Sequence, residues 1–336
     1  MCVWVKSEKN TWLMILDVLC IVAGFVLLVK GGDFLVDGSV AIARRARLSP
    51  MVIGLTVMGF GTSAPELLVS AQAAWRGSAG IALGNVAGSN IANVGLILGL
   101  TATMRALPVG RRTLTVDMPF MLLAMGMLVG CAAWGGVIER WMGAVMVLTL
   151  GGFVWWEIWR ERRASRKAEE TDGDVAVGEV MPLWKAVGLV AVSLGAMVWG
   201  SDLLVDGASN VAMSLGEMLG VSRDAMERIV GLTVVALGTS LPELFASVMA
   251  ARKGETSMAV GNIIGSVSFN VLCVVGVSSV ITPIGGAWDG FATDYAVMCL
   301  MGLVLWLFLR TGYKMVRWEG LVMLLAYAAY IWSIMP

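Results

Sequence analysis

Long apolar runs separated by short polar breaks extend along the whole chain of 336 residues. Most runs are long enough to cross a bilayer core about 30 Å thick, which takes roughly 20 helical residues. They do not alternate apolar and polar positions, as the strands of a transmembrane barrel would. The pattern therefore predicts an all-α polytopic membrane protein with ten transmembrane helices. The breaks place these helices at 12–43, 50–75, 79–104, 114–135, 138–160, 182–213, 226–251, 256–281, 291–311 and 315–335.

One longer polar segment divides the ten predicted helices into two sets of five. We interpret residues 160–181 as a solvated linker with no fold of its own, because charged and small polar residues dominate it. The chain then consists of a first five-helix repeat at 1–159, this linker, and a second five-helix repeat at 182–336. The first apolar run has no convincing cleavage site, and we interpret it as a retained helix.

Lys and Arg are divided unevenly between the two sets of alternating loops. One set holds 17 of these residues and the other holds 6. Cytoplasmic loops of membrane proteins carry the excess of positive charge. We therefore expect the linker in the cytoplasm and both termini outside, in the cell (inner) membrane.

Composition narrows the classes of function. Only 14% of the residues are charged and 58% are hydrophobic, against about 25% charged in a soluble domain. The net charge is zero, which favours no nucleic-acid partner, and no histidine is present to shuttle protons or bind transition metals. The five cysteines form no CxxC pair, which argues against a zinc site or a disulfide framework. We expect no cofactor and no obligatory protein partner beyond the lipid bilayer, and a monomer is compatible with the sequence.

Residues 54–93 recur at 231–270. In an alignment without gaps, 20 of 40 positions are identical at a constant offset of 177. The copies occupy the second and third predicted helices and the seventh and eighth. Since an odd number of helices separates them, the copies face opposite ways across the bilayer. Such inverted repeats place a substrate site near the bilayer midplane, where the two halves meet.

The string GTSxPE occurs in both copies and ends at Glu66 and Glu243. Its Thr, Ser and Glu share one helix face. The proline removes an amide, so the carbonyl four residues earlier, at Gly61 or Gly238, loses its helical partner. A carboxylate at membrane depth is a functional hypothesis by default, and we reject a purely structural role for these glutamates.

A second string, GNxxGSxxxN, also occurs in both copies and brings amide and hydroxyl groups to one helix face. Its glycines allow close helix approach, and for Gly84 and Gly88 simple packing is an equally open interpretation. We interpret its first Asn as a hydrogen-bonding residue between helices. The polar members are Asn85, Ser89 and Asn93 in the first copy and Asn262, Ser266 and Asn270 in the second.

All the candidate ligands are hard oxygen atoms, which suit Ca²⁺, with roughly 6–8 oxygens at about 2.3–2.6 Å, and also Na⁺. They argue against Zn²⁺ and Cu⁺. Two glutamates balance one Ca²⁺. Without an ion, two buried like charges are costly, so a cation or a proton should always occupy the site. That requirement favours obligatory exchange.

The two strings resemble the α-1 and α-2 repeats of the calcium:cation antiporter superfamily, closest to its Na⁺/Ca²⁺ exchanger branch. The resemblance implies ten helices in inverted repeats, ion sites between the second, third, seventh and eighth helices, and first and sixth helices that slide. It implies a Ca²⁺ site of Glu66 and Glu243 with the carbonyls of Thr62 and Thr239. It implies Na⁺ sites that use Ser63, Ser89 and the carbonyl of Gly59, then Ser240, Ser266 and the carbonyl of Ala236, with Asn93 and Asn270 at a middle position.

The expected function is therefore secondary Na⁺/Ca²⁺ antiport by alternating access, and not an enzymatic reaction. Members that depend on K⁺, and some prokaryotic ones, resemble this pattern with Asp in place of Asn270, which makes K⁺ co-transport doubtful here. A proton-coupled Ca²⁺ exchanger on the same fold and a passive cation channel stay open. A hydrolase with Ser63 or Ser240 as nucleophile is remote, since no histidine is present to act as its base.

Other charged residues in the predicted helices are interpreted without a role in ion binding. Asp33 and Asp37, and their counterparts Asp202 and Asp206, fit interfacial hydration or helix-end hydrogen bonds better than an ion path. Lys30 is expected to snorkel to the interface or to pair with Asp33.

Overall fold

The computed structural model describes residues 2–172, 181–219, 236–288 and 290–334. The described chain is helical nearly throughout. The helices are α1 Cys2–Ala46, α2 Pro50–Thr62, α3 Ala64–Trp75, α4 Ala79–Met104, α5 Thr113–Ala133, α6 Arg140–Asp172, α7 Leu183–Met218, α8 Ala236–Gly238, α9 Leu241–Arg252, α10 Thr256–Ile281, α11 Ala292–Arg310 and α12 Arg317–Ile334. The two-residue strands are β1 Leu107–Pro108, β2 Val137–Ile138, β3 Ile284–Gly285 and β4 Lys314–Met315.

Among the described residues, seven helices are long and apolar enough to cross a membrane, or eight if the bent pair α2–α3 forms one span. This confirms the predicted class of all-α polytopic membrane protein. The predicted helix at 226–251 begins in residues 220–235, which lie outside the description. The total of ten spans therefore stays a prediction.

The bounds of the helices repeat at the same offset as the sequence. The first and last residues of α3 and α9, and of α4 and α10, lie 177 residues apart, as do the last residues of α5 and α11. The strands follow the same rule, since β1 corresponds to β3 and β2 to β4. β1 pairs antiparallel with β4, and β2 with β3. Each strand therefore pairs with a strand of the other half, and the likeness of the halves extends beyond the strings of identical residues.

Glycines allow the halves to pack closely. A Cβ at Gly99 would lie 3.0 Å from the carbonyl oxygen of Gly320, and one at Gly276 would lie 3.0 Å from that of Gly143. These two contacts are related by the offset of 177. The predicted close approach by the second GNxxGS string is confirmed, because a Cβ at Gly261 would lie 2.5 Å from the main chain of α2. The segment that would face Gly84 and Gly88 by the same offset lies outside the described residues.

The helices divide into a core and a flanking pair. α2, α3 and α4 pack with α9 and α10 across the two halves, and α1 packs along α7 beside them. α1 and α7 meet at glycines, since a Cβ at Gly200 would lie 2.9 Å from the carbonyl oxygen of Gly24. α1 also lies against α9. The flanking pair therefore contacts helices that carry the strings repeated in the two halves.

The linker prediction needs correction. α6 extends to Asp172, so residues 160–172 of the predicted linker are helical and do not lack a fold. Glu161 accepts a hydrogen bond from the amide of Ser49 at 3.1 Å and pairs with Arg112 at 2.8 Å. These contacts join the extension of α6 to the start of α2 and to the N-terminal end of α5. Residues 173–180 lie outside the description.

Candidate cation site

Both glutamates lie in the first turn of a helix, just after a break in the helical structure. The break at Ser63 (φ −83°, ψ 3°) separates α2 from α3, whose axes differ by 44°. Ser240 (φ −91°, ψ 2°) precedes α9 in the same way. A proline follows in the first turn of each new helix, where its missing amide is not required. The predicted kink is therefore confirmed, and Glu66 and Glu243 lie at helix N-termini, where the helix dipole stabilises negative charge.

The two carboxylates are buried and incompletely bonded. Both glutamates have no exposed surface. Neither oxygen of Glu66, nor Oε2 of Glu243, has a hydrogen-bond partner among the described residues. Ser63 Oγ donates to Oε1 of Glu243 at 3.4 Å, across the two halves. Ser63 lies three residues before Glu66, so this bond brings the starts of the two glutamate helices together. Because buried charges without partners are costly, this arrangement requires a cation or a proton.

Hydroxyl groups of the first half contact polar side chains of the second half. Thr62 Oγ1 lies 3.2 Å from Ser266 Oγ and 3.5 Å from Oδ1 of Asn262. A Cβ at Gly59 would lie 3.0 Å from the amide nitrogen of Ser266. α3 packs against residues 270–275, and α9 packs against residues 93–98. The structure therefore brings the two sets of predicted ligands into one region.

The helix geometry is irregular where two of the predicted ligands lie. Asn93–Leu98 and Asn270–Val275 are π-helical, and each segment begins at a predicted ligand. Asn93 and Asn270 have no exposed surface, and no partner for their side-chain amides lies within the described chain. Single π-helical turns are frequent at functional sites. Sequence reasoning missed these segments, because no residue pattern marks a π turn.

The other predicted ligands are buried to different degrees. Ser89 and Ser240 are 3% exposed and Ser266 is fully buried, while the hydroxyl of Ser240 has no described partner. Thr239 is half-buried. Ala236 is the first residue of α8, and its side chain lies outside the description. Direct contacts between the halves are thus observed for Thr62, Ser63, Ser266 and Glu243, and burial without a described contact for Ser89 and Ser240.

One of the carbonyls freed by the prolines has a partner within the protein. The oxygen of Gly238 accepts a hydrogen bond from Ser201 Oγ at 2.6 Å. The expectation that Gly238 presents a free oxygen is therefore wrong. Sequence reasoning missed the role of Ser201. The signal was its place directly before Asp202, where the first half has Gly32 before Asp33.

A cleft lies between α7 and the two helix breaks. It has a volume of about 170 Å³, and Pro65, Pro242 and Thr239 line it beside the breaks. Asp202 and Asp206 lie on its α7 wall. This cleft places two further carboxylates beside the starts of both glutamate helices.

The corresponding acids of α1 are engaged differently. Lys253, after the end of α9, contacts Asp37 Oδ1 at 2.7 Å and the carbonyl oxygen of Asp33 at 2.7 Å. It also lies 3.7 Å from the carboxylate of Asp33. Asp33 thus lies beside Lys253, whereas pairing with Asp33 was one of the two alternatives for Lys30. This contact joins α1 to the core at the end opposite the cleft.

The fold and these residues define a polytopic helical membrane protein whose two halves bury paired carboxylates at their interface. The sequence pattern of the sodium/calcium exchanger protein family matches residues 16–159 and 185–335, and the chain belongs to this family. It is therefore a transporter and not an enzyme.

Relatives of known name agree with this assignment. The chain is 30% identical over 355 residues to the sodium/calcium exchanger MaX1 of Methanosarcina acetivorans, covering 93% of this chain and 97% of that protein. It is 32% identical over 304 residues to the inner membrane protein YrbG of Escherichia coli, covering 87% and 88%. The solved structure of the sodium-calcium exchanger NCX_Mj soaked with Na⁺ and Sr²⁺ superimposes with a TM-score of 0.80 at 31% identity, covering 96% of this chain and 100% of that one.

Proposed function

We propose that this protein exchanges Na⁺ for Ca²⁺ across the membrane by alternating access. The observation that carries the proposal is the pair of fully buried carboxylates, Glu66 and Glu243, with three oxygens that have no partner in the described protein. Two such charges neutralise one divalent cation or two monovalent ones. The names of MaX1 and NCX_Mj supply the two ions, which are cargo, and no cofactor enters the scheme.

The ligand assignment follows the resemblance and is supported by the geometry of the first half. Thr62 and Ser63 contact residues of the second half, as ligands at a shared site should. We assign Ca²⁺ to Glu66 and Glu243 with the carbonyls of Thr62 and Thr239. We assign Na⁺ to Gly59, Ser63 and Ser89, to Ala236, Ser240 and Ser266, and to Asn93 and Asn270 at the middle.

The proposed topology has ten spans in two inverted repeats, 1–159 and 182–336, joined by a cytoplasmic segment. Contacts between the described loops support it, because they join loops assigned to the same side. On the cytoplasmic side β1 pairs with β4, and Arg105 donates to the carbonyl of Ala251. On the outer side β2 pairs with β3, and Arg140 donates to the carbonyl of Ile281. Both termini then lie outside the cell, and the inner membrane is the proposed location.

The same electrostatics explain obligatory exchange. An empty site leaves two buried negative charges, so the carrier should change its orientation only with ions bound. The flanking pair α1–α7 contacts the Glu243 helix α9, and its movement would open one side or the other. In this structure the cleft lies beside Asp202 and Asp206 on the side proposed as external, while Lys253 joins α1 to the core on the cytoplasmic side. The monomer contains both halves of the site.

Ion flux in proteoliposomes tests the proposal. An imposed Na⁺ gradient, with pH clamped and no other gradient, should drive uptake of ⁴⁵Ca²⁺. Uptake driven only by a proton gradient would replace Na⁺ by H⁺ as the coupling ion. Flux that persists without any counter-ion would indicate a channel and overturn the exchange mechanism.

A further inference from the structure

Two asparagines make the same pair of contacts in the two halves. Asn85 Nδ2 donates to Ser70 Oγ at 2.9 Å and lies 3.4 Å from the carbonyl oxygen of Glu66. At the offset of 177, Asn262 Nδ2 donates to Ser247 Oγ at 2.9 Å and lies 3.5 Å from the carbonyl oxygen of Glu243. The distances to the serines are typical of a good N–H···O hydrogen bond, while those to the carbonyls are at the outer limit for a hydrogen bond. Both serines are fully buried.

These contacts fix how each glutamate helix is rotated about its axis. Ser70 lies four residues after Glu66 on α3, so the two side chains share one face of that helix. A bond that holds Ser70 against α4 therefore also determines where the carboxylate of Glu66 points. Ser247 and Glu243 have the same spacing on α9.

The asparagines also orient the second set of ligands. On α4, Asn85 is followed at four-residue intervals by Ser89 and Asn93, which share its face. On α10, Asn262 is followed in the same way by Ser266 and Asn270. The amide of Asn85 thus aligns the ligand face of α4 with that of α3. The amide of Asn262 aligns α10 with α9 in the same way.

The two asparagines differ in one respect. Oδ1 of Asn262 also lies 3.5 Å from Thr62 Oγ1, so this residue contacts both halves of the site, and it is fully buried. Asn85 is half-buried, and its described contacts stay within its own half. The second half therefore depends on its asparagine for the position of a ligand from each repeat.

We propose that Asn85 and Asn262 are positioning residues that set the geometry of the cation site through Ser70 and Ser247, without binding the ion themselves. The proposal rests on the function proposed above. Substitution of hydrogen-bond partners behind metal ligands typically weakens metal binding about 10–100-fold. Asn262→Ala should fall in that range for Ca²⁺, and Asn85→Ala should have a smaller effect.

Asn90 supplies a matched control. It lies on α4 with the same full burial as Asn262, but its amide donates to Met298 Sδ at 3.6 Å and, among the described residues, forms no hydrogen bond with the glutamate helices. Asn90→Ala removes an equal side chain from a helix of the site. We expect it to leave the affinity for Ca²⁺ unchanged.

The experiment measures equilibrium binding of ⁴⁵Ca²⁺ to detergent-solubilised wild type, Asn262→Ala, Asn85→Ala, Ser247→Ala and Asn90→Ala, each checked for a monodisperse gel-filtration peak. Exchange in proteoliposomes is then measured at saturating Ca²⁺. A positioning role predicts a raised Kd with a largely retained maximal rate. It also predicts that the losses of Asn262→Ala and Ser247→Ala do not add fully in a double variant, because both remove the hydrogen bond between these two residues.

A wild-type Kd in folded Asn262→Ala, additive losses in the double variant, or an equal loss in Asn90→Ala would each overturn the positioning role. If Asn262→Ala does not fold, a wild-type Kd in both Ser247→Ala and Asn85→Ala would overturn it instead. Weakened binding by these variants, in a wild type that binds Ca²⁺ but does not exchange it for Na⁺, would support the positioning role and refute the antiport proposal. A wild type that does not bind Ca²⁺ would refute both.

Discussion

Replacement of either buried glutamate by glutamine should weaken Ca²⁺ binding about 100-fold and leave the protein folded. Glutamine keeps the shape of the side chain and removes its charge. In the ion-free protein the loss of one of two neighbouring buried charges relieves repulsion, so Glu66→Gln and Glu243→Gln should not be destabilised. With one carboxylate left, a divalent ion is no longer neutralised, and both variants should fail to transport.

The magnitude follows from Coulomb's law. A unit charge pair about 4 Å apart contributes about 4 kcal/mol at an effective dielectric constant near 20, and a divalent ion doubles this to about 8 kcal/mol. If lost desolvation and local rearrangement offset two thirds of that energy, about 2.7 kcal/mol is left, which is roughly 100-fold in affinity. Glu66 should show the larger loss, because no described hydrogen bond holds either of its oxygens, whereas Ser63 holds Glu243.

Ligand-dependent stability measures this loss without any transport assay. A ligand at 100 times its Kd stabilises the folded protein by about 2.7 kcal/mol. The thermal midpoint of the wild type should therefore rise with added Ca²⁺, and that of each glutamine variant should rise far less over the same range.

Glu319→Gln is the matched control. Glu319 is 2% exposed and lies outside the site, where it accepts hydrogen bonds from Thr311 Oγ1 at 2.9 Å and the amide of Val316 at 2.8 Å. Its replacement should lower the midpoint, because it weakens the cap of α12, but should leave the response to Ca²⁺ intact. A full Ca²⁺ response in both Glu66→Gln and Glu243→Gln would refute the shared site.

Three further substitutions test other parts of the structure. Asn270→Asp adds a third acid at a fully buried position, so exchange should become more sensitive to pH; an unchanged pH profile would argue against a middle ion position. Ser201→Ala leaves the carbonyl of Gly238 without its partner and should lower the free energy of unfolding by about 1–3 kcal/mol, measured by denaturant titration; wild-type stability would contradict that bond. Gly265→Ala would place a Cβ 2.8 Å from Leu55 Cα and should destabilise by about 1–3 kcal/mol, and a neutral thermal midpoint would contradict the tight contact of α2 with α10.

The glutamates could be found from the sequence because two independent signals coincide there. A carboxylate in an apolar run is expensive, and the same residue appears at the same place in a repeat. Their burial and their position after a break are as predicted. The spacing of Thr62, Ser63 and Glu66 was informative for the same reason, since helical periodicity alone decides which side chains share a face.

Features that depend on tertiary contact were missed. The hydrogen bond from Ser201 to Gly238 requires α7 to lie against the break before α9, and no local pattern encodes that approach. The π turns at Asn93 and Asn270 likewise have no residue signature. In both cases the sequence gives the residue types but does not show their geometry.

The helical extension of α6 was missed for a different reason. Residues 160–170 consist mainly of Arg, Glu, Ala and Lys, which are strong helix formers. Their polarity suggested a linker without structure, but propensity and the contacts of Glu161 with Ser49 and Arg112 favour a helix. Composition alone was therefore a poor guide to local structure there.

The most direct test of the central claim is the anomalous scattering of Sr²⁺ in crystals of the protein soaked with that ion as a substitute for Ca²⁺. The account predicts one strong peak bridging the carboxylates of Glu66 and Glu243, at about the 2.3–2.6 Å typical of Ca²⁺–oxygen distances. A peak bound to only one of these carboxylates, or an ion-loaded protein with either side chain turned towards lipid, would contradict it.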